Sequence, residues 1–192
     1  MVDEDIFKQI TNAKVTGGGD WCRDGSYVYQ VKKLTLEKGF TGVSFKAELK
    51  ILKGEGIDIP SGLADDSKGE KPGLATPSKV GSVVSYVVNL SKSTSAASNV
   101  KALMMALDGP GDSDDAAFTA LLKQATDPSG GNPFRGALVA DRTFRKLIKT
   151  GPNMGKPFMG HNWTHVPGQT TEAIKAARAT LDAEESAAVA AQ

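Results

Sequence analysis

The chain is predicted to be mainly β, with five strands in one antiparallel unit, two helices inserted after the third strand, and a helix at the C-terminus. Three observations predict this. Apolar and polar residues alternate at a period of two along three stretches before residue 92, and two further strand-like stretches follow residue 133. Residues 98–126 instead repeat their apolar positions at helical spacing. The strand-like stretches are joined in places by short Gly-rich turns, whereas a parallel sheet needs a long crossover every time.

Residues 1–24 form a lead-in. Asp3 to Ile10 suits a short helix, and Gly17-Gly18-Gly19 then interrupts regular structure. From Ser26, Tyr27, Tyr29 and Val31 alternate with Val28, Gln30 and Lys32, which predicts a strand over 26–36. Lys38-Gly39-Phe40-Thr41-Gly42 is a turn. The second strand then has Val43, Phe45, Ala47, Leu49 and Ile51 on one face and Ser44, Lys46, Glu48 and Lys50 on the other. A strand that is apolar on one side only belongs to an antiparallel sheet with one solvated face.

Residues 54–78 are rich in Gly, Pro, Asp, Ser and Lys, show no period, and are expected to be a long loop. A third strand is predicted over 79–91, with Val80, Val84, Tyr86, Val88 and Leu90 inward and Val83 and Val87 on a partly covered outer face. Ser98 is read as an N-cap for a helix from Asn99 to Leu107, striped by Val100, Leu103, Met104 and Leu107 and ended by Gly109-Pro110-Gly111. Ser113 is read as the cap of a second helix reaching Ala125, with Asp114 and Asp115 suiting its dipole. A fourth strand is predicted over 134–149 and a fifth over 156–166. An Ala-rich helix from Thr170 or Thr171 toward Ala188 has only Ile174, Ala177 and Leu181 as an apolar stripe, so packing on the surface or fraying is expected. The order β-β-β-α-α-β-β is that of a five-stranded Greek-key barrel of the OB-fold type. The chain then divides into a lead-in at 1–24, an OB-fold-like domain at 25–168 and a C-terminal helix or tail at 169–192. The long loop at 54–78 and a helical insertion at 98–126 lie inside that domain.

Composition narrows the function. Of 192 residues, 40% are hydrophobic, enough for one domain with a core. No apolar run is long enough to span a membrane, and the acidic Met1-Val2-Asp3-Glu4-Asp5 is not a secretory signal. The one cysteine, Cys22, excludes an intrachain disulfide framework and a cysteine-rich zinc site. The formal net charge is only +1, which excludes a uniformly basic coat, but the charge is sorted. Residues 26–53 carry six lysines against two glutamates, a net of +4, and residues 128–168 carry six basic residues against Asp141, a net of +5. Residues 108–127 carry five aspartates against Lys123, a net of −4. Ordinary solvated faces also give such runs, so the elements that carry them decide the matter.

Catalytic motifs fail on inspection. Gly151 to Lys156 has three residues between its glycines, and Pro157 stands where a phosphate loop needs Ser or Thr. His161 and His165 would lie about 13 Å apart on a strand and cannot share a metal. Gly-x-Ser-x-Gly does not occur. Cys22 reads as a plain thiol. The adjacent pairs Asp65-Asp66 and Asp114-Asp115 lie in a loop and at a helix start, and Gly17-Gly18-Gly19 lacks the flanking strand and helix of a dinucleotide site. The chain is not expected to be an enzyme, and no metal or cofactor is expected.

What remains is basic residues mixed with aromatics on strands. The fourth strand carries Arg142, Phe144 and Lys146 on one face and Arg145 on the other, and the fifth carries Trp163 between His161 and His165. Lys46 and Lys50 lie on the polar face of the second strand, Tyr86 on the third, and Lys149 and Lys156 flank the last turn. Single-stranded nucleic-acid binders need this combination, because cations follow phosphates while rings stack on bases. Phe45, Phe118, Phe134 and Phe158 are assigned to the core instead. Tyr27 and Tyr29 share a face and can be core residues whose hydroxyls reach partners.

Three stretches also resemble phage-encoded single-stranded DNA-binding proteins of the OB-fold type. They are Gly25-Ser26-Tyr27-Val28 with Gly42-Val43-Ser44-Phe45-Lys46-Ala47-Glu48-Leu49, then Ser98-Asn99-Val100-Lys101-Ala102-Leu103, then Arg135-Gly136-Ala137-Leu138-Val139-Ala140 with Lys156-Pro157-Phe158 and Asn162-Trp163-Thr164-His165-Val166. The resemblance implies coating of single-stranded DNA during replication or recombination, without base specificity or cofactor, in the cytoplasm of an infected host cell. It also implies replication or recombination proteins as partners, no membrane, and leaves homo-oligomerisation open. Such proteins often end in an acidic recruiting tail. Here Asp182, Glu184 and Glu185 are weakly acidic and the last residues are Ala-rich, a departure that puts tail-mediated recruitment in doubt. A structural or interaction module, such as a virion accessory or decoration protein, explains the strands equally well and leaves the charge sorting as accident.

Overall fold

A computed structural model describes residues 7, 10, 23–39, 42–64, 71–91, 94–111, 114–129, 131–151 and 154–190. Its elements are β1 (Gly25–Gly39), β2 (Gly42–Glu55), β3 (Asp58–Ile59), β4 (Gly73–Leu74), β5 (Val83–Asn89), α1 (Thr94–Asp108), α2 (Asp115–Ala125), β6 (Leu138–Leu147), β7 (Pro157–His165) and α3 (Thr171–Ala190). Five strands form one antiparallel sheet in the order β5-β2-β1-β6-β7, and β3 and β4 form a small separate ladder. The expected closed barrel is not formed by strand pairing, because the described residues of β5 and β7 are not hydrogen-bonded to each other.

β1 lies at the centre of the sheet, and its pairing with β2 shifts register twice, between Val28 and Tyr29 and between Val31 and Lys33. The second shift leaves Lys32 without a cross-strand partner in β2 and reverses the alternation. Tyr27, Tyr29 and Val31 point inward before it and Leu34 after it. An extra residue in one strand does this because side chains alternate strictly by two. In β2 the expected alternation holds without a fault, with Val43, Phe45, Ala47, Leu49 and Ile51 all buried.

These side chains, with Tyr86 and Val88 of β5 and Val139 of β6, form a core covered by α1 and α2. α1 starts at Thr94, one turn earlier than expected, and Ser98 is buried inside it instead of capping it. Ala96 and Ala97 are buried and extend the apolar stripe backward, and alanine is the strongest helix former. Gly109, with φ +86°, stops the helix and donates its N–H to the Met105 carbonyl. α2 is capped by Asp114, whose carboxylate accepts from Ala117 N–H at 2.7 Å, while Ser113 lies outside the described residues. Ile10 is fully buried, so the lead-in adds to the core, whereas Trp21, Cys22 and Gly17-Gly18-Gly19 lie outside the described residues.

The two later strands are both shorter than expected, β6 by four residues at its start and two at its end and β7 by one residue at each end. Residues 134–137 form a turn before β6, closed by Ala137 N–H on the Phe134 carbonyl, with Gly136 at φ +91°. A Cβ at Gly136 would sit 2.8 Å from backbone atoms of α3, so this glycine lets the helix touch the chain directly. Likewise β5 begins only at Val83, because residues 79–82 turn around Gly81 at φ +86°. Val80 is therefore 54% exposed, not inward. Within the expected loop at 54–78, β2 continues to Glu55 and the two-residue β3–β4 ladder forms. Asp65 and Asp66 lie outside the described residues.

Candidate nucleic-acid interface

Antiparallel pairing of β6 with β7 sets Arg142 opposite Asn162, Phe144 opposite Gly160 and Lys146 opposite Phe158. Alternation puts these six on the outer face and turns Asp141, Thr143, His161 and Met159 inward, where all four are buried. Gly160 matters here, because a Cβ would lie 2.9 Å from the Phe144 ring. Its absence lets the ring cross onto β7. The Lys146 ammonium then sits 5.3 Å from the Phe144 ring centre and 5.2 Å from that of Phe158, attracted by both π faces. Phe158 is accordingly half-buried and not a core residue. This outer face borders a cleft of about 540 Å³ that Ile57, Asp58, Pro60, Arg145 and His161 also line.

Arg145, on the opposite face of β6, is a strut. Its Nε is 2.9 Å from Asp24 Oδ2, and Asp24 is 3% exposed. Its Nη1 donates to the Leu63 carbonyl at 3.3 Å, which ties the loop after β3 to the hairpin. A buried carboxylate needs such a partner, so this arginine is held by the fold.

The other expected residues disperse. Lys149 and Lys156 are exposed at the base of the β6–β7 turn, where Ile148 N–H meets the Lys156 carbonyl. Lys46 is 2.8 Å from Glu48, whose hydrogen bond and charge hold its ammonium above the usual lysine value. Lys50 pairs with Glu184 of α3 at 2.7 Å. Through the registers, Lys50 aligns with Gln30 and then Leu138, whereas Arg142 aligns with Ser26. The two basic groups are therefore separated by about 13 Å along the strands and about 10 Å across them.

Tyr86 is fully buried, so its ring cannot stack on a base, which corrects the expectation. Burial pushes its hydroxyl far above the usual tyrosine range, the charge of Asp141 adds to this, and a hydrogen bond from Trp163 works against both. Trp163 is half-buried and packs on the core. It stacks on His161 with centroids 5.4 Å apart and meets Tyr86 edge-on at 5.3 Å. It lines a second cleft of about 680 Å³, between β7 and the α1 residues Met105 and Ala106. Trp163 thus faces away from Arg142, Phe144 and Lys146.

Two features carry little or no signal in the sequence. Asp141 is buried with His161 Nδ1 at 2.7 Å and accepts from the Thr143 hydroxyl and the Asn162 N–H, both at 2.8 Å. A one-residue alternation signal marks it, since an acid on the inward face of a strand requires partners. The second is the acidic face of α3. Glu185 lies 3.1 Å from Lys32 and 2.9 Å from Arg135, and Asp182 lies 2.7 Å from Arg135. No local signal predicts pairs so distant in sequence. Burial alone would raise Glu185, but hydrogen bonds from Lys32 and Arg135 outweigh it and leave its carboxyl below the usual value. Among the described residues, no three His, Cys, Asp or Glu side chains are arranged to hold a metal, and no helix is long and apolar enough to cross a membrane. Comparison of the chain with protein-family models, with curated proteins and with solved structures finds no match to any of them.

Proposed function

We propose that this protein binds single-stranded DNA, largely without regard to sequence, and protects strands during replication or recombination in an infected cell. The observation that carries the reading is the outer face of the β6–β7 hairpin. There two cations and two aromatic rings, Arg142, Lys146, Phe144 and Phe158, converge beside a cleft. Phosphates suit the cations, and bases suit the rings. No catalytic step and no cofactor belongs to this role.

The strand order supports the same reading. The first strand between the second and fourth, with helices inserted before the fourth, is the neighbour order of an OB-type barrel. In such a barrel β5 and β7 would meet, and Tyr86 of β5 does reach His161 and Trp163 of β7 at 5.1 and 5.3 Å.

The test is titration with an unstructured thymidine oligonucleotide at several salt concentrations, read by gel retardation and tryptophan fluorescence. Affinity is expected to fall steeply as salt rises. Arg142→Ala with Lys146→Ala should weaken binding to all sequences alike and flatten the logarithmic salt slope by about 0.7 for each phosphate no longer neutralised. Absence of binding at low salt abandons the proposal.

One observation favours a second reading, a non-catalytic interaction module such as a virion accessory protein. Val83 and Val87 are 49% and 51% exposed on β5, an edge strand of the sheet. An apolar edge invites another chain. Light scattering that shows self-association abolished by Val87→Lys would favour it.

A further inference from the structure

We propose that the cleft beside the β6–β7 hairpin holds a single nucleotide and selects guanine. The inference rests on the reading of this face as a nucleic-acid interface and adds base preference to it. The volume of about 540 Å³ falls in the range of small-ligand sites. Its walls have the three parts that a nucleotide requires. Arg142 and Lys146 supply positive charge for a phosphate. Phe144, Ile57 and Pro60 supply apolar surface for a base. Asp58 and Asn162 supply hydrogen-bonding groups for a base edge.

Asp58 is the residue that a purely phosphate-tracking surface would lack, because a carboxylate repels phosphate. Its backbone is fixed by the β3–β4 ladder, where it pairs with Leu74. The loop that continues from it is fixed to the hairpin by Arg145, which donates to the Leu63 carbonyl. Leu63 N–H in turn closes a turn on the Pro60 carbonyl. A carboxylate held in this way accepts hydrogen bonds only. Guanine presents two adjacent donors, N1–H and the 2-amino group, one for each oxygen. Adenine and cytosine each present one amino donor beside an acceptor. Thymine presents one N–H between two carbonyls, both of which the carboxylate repels.

The experiment titrates the full chain with dGMP, dAMP, dCMP, dTMP and inorganic phosphate separately, by calorimetry, alongside a thymidine oligonucleotide with and without one central guanine. The expected result is dGMP about 5- to 150-fold tighter than dTMP, with phosphate weaker than either, the span of one bidentate contact. Asp58→Asn should bring the four nucleotides together while binding to the all-thymidine strand persists or tightens. Arg142→Ala should weaken all four in parallel. Equal affinities, or a guanine preference that survives in Asp58→Asn, overturns the pocket. If the all-thymidine strand still binds in that case, only the pocket falls. If no oligonucleotide binds either, the single-strand reading falls with it.

Discussion

At the scale of single residues, opposite faces of one strand divide the basic side chains into two kinds. Arg142 is exposed on the outer face, whereas Arg145, three residues on, lies against buried Asp24. Arg145→Ala should therefore destabilise the fold by about 3–5 kcal/mol, the usual cost of leaving one charge of a buried pair without its partner. Urea unfolding measures it, and a change of under about 1 kcal/mol would show that the pair is not structural. The outward-facing Arg142, Phe144 and Lys146 were legible in the sequence, because a period of two needs no tertiary information. The partner of Arg145 was not, since Asp24 lies outside any periodic stretch and some 120 residues away. Tyr86 misled for a related reason, because alternation placed it inward while its ring was still counted among those that stack on bases.

At the scale of elements, α3 shows how a weak stripe becomes a docked helix. Ile174 packs on the core and Leu181 is 1% exposed, much as the sparse pattern implied. The remainder comes from charge. Asp182, Glu184 and Glu185 lie against Lys32, Lys50 and Arg135, and Lys32 reaches α3 from the position where β1 gains its extra residue. The bulge was invisible in advance, because the sequence reads Lys32-Lys33 as continuous strand. Asp182→Asn, Glu184→Gln and Glu185→Gln together should release these cations and tighten binding of a thymidine oligonucleotide at low salt. An unchanged or weaker affinity counts against it. Acid should act on the same contacts. Glu185 titrates below its usual 4.5 when docked, so its contribution is complete above that value and is lost as pH falls through the lower docked value. The protection of α3 amides against hydrogen exchange should fall as pH drops through that docked value, while that of β1 and β2 does not.

For the whole molecule, a net charge of +1 is a balance between surfaces. The helical insertion carries exposed Asp114 and Asp115. One basic group is neutralised by α3, and the β6–β7 hairpin keeps Arg142 and Lys149 exposed. Charge by segment was legible in the sequence, but the pairing that cancels part of it was not. The expected consequence is a salt slope set by a few phosphate contacts. A logarithmic slope steeper than about −4 would require more than five contacts at roughly 0.7 each and would contradict a hairpin-centred interface.

The meeting of β5 and β7 through Tyr86, His161 and Trp163 has a consequence for motion. Ring contacts of this kind contribute about 0.5–1.5 kcal/mol each beyond the area they bury, and no ladder hydrogen bond among the described residues crosses between the two strands. Parting them breaks no ladder bond, whereas removing β1 breaks its pairing on both sides. The molecule should therefore open between β5 and β7 far more often than it unfolds. Trp163 touches both Tyr86 and His161 at that junction, so its emission should report the opening long before the core comes apart.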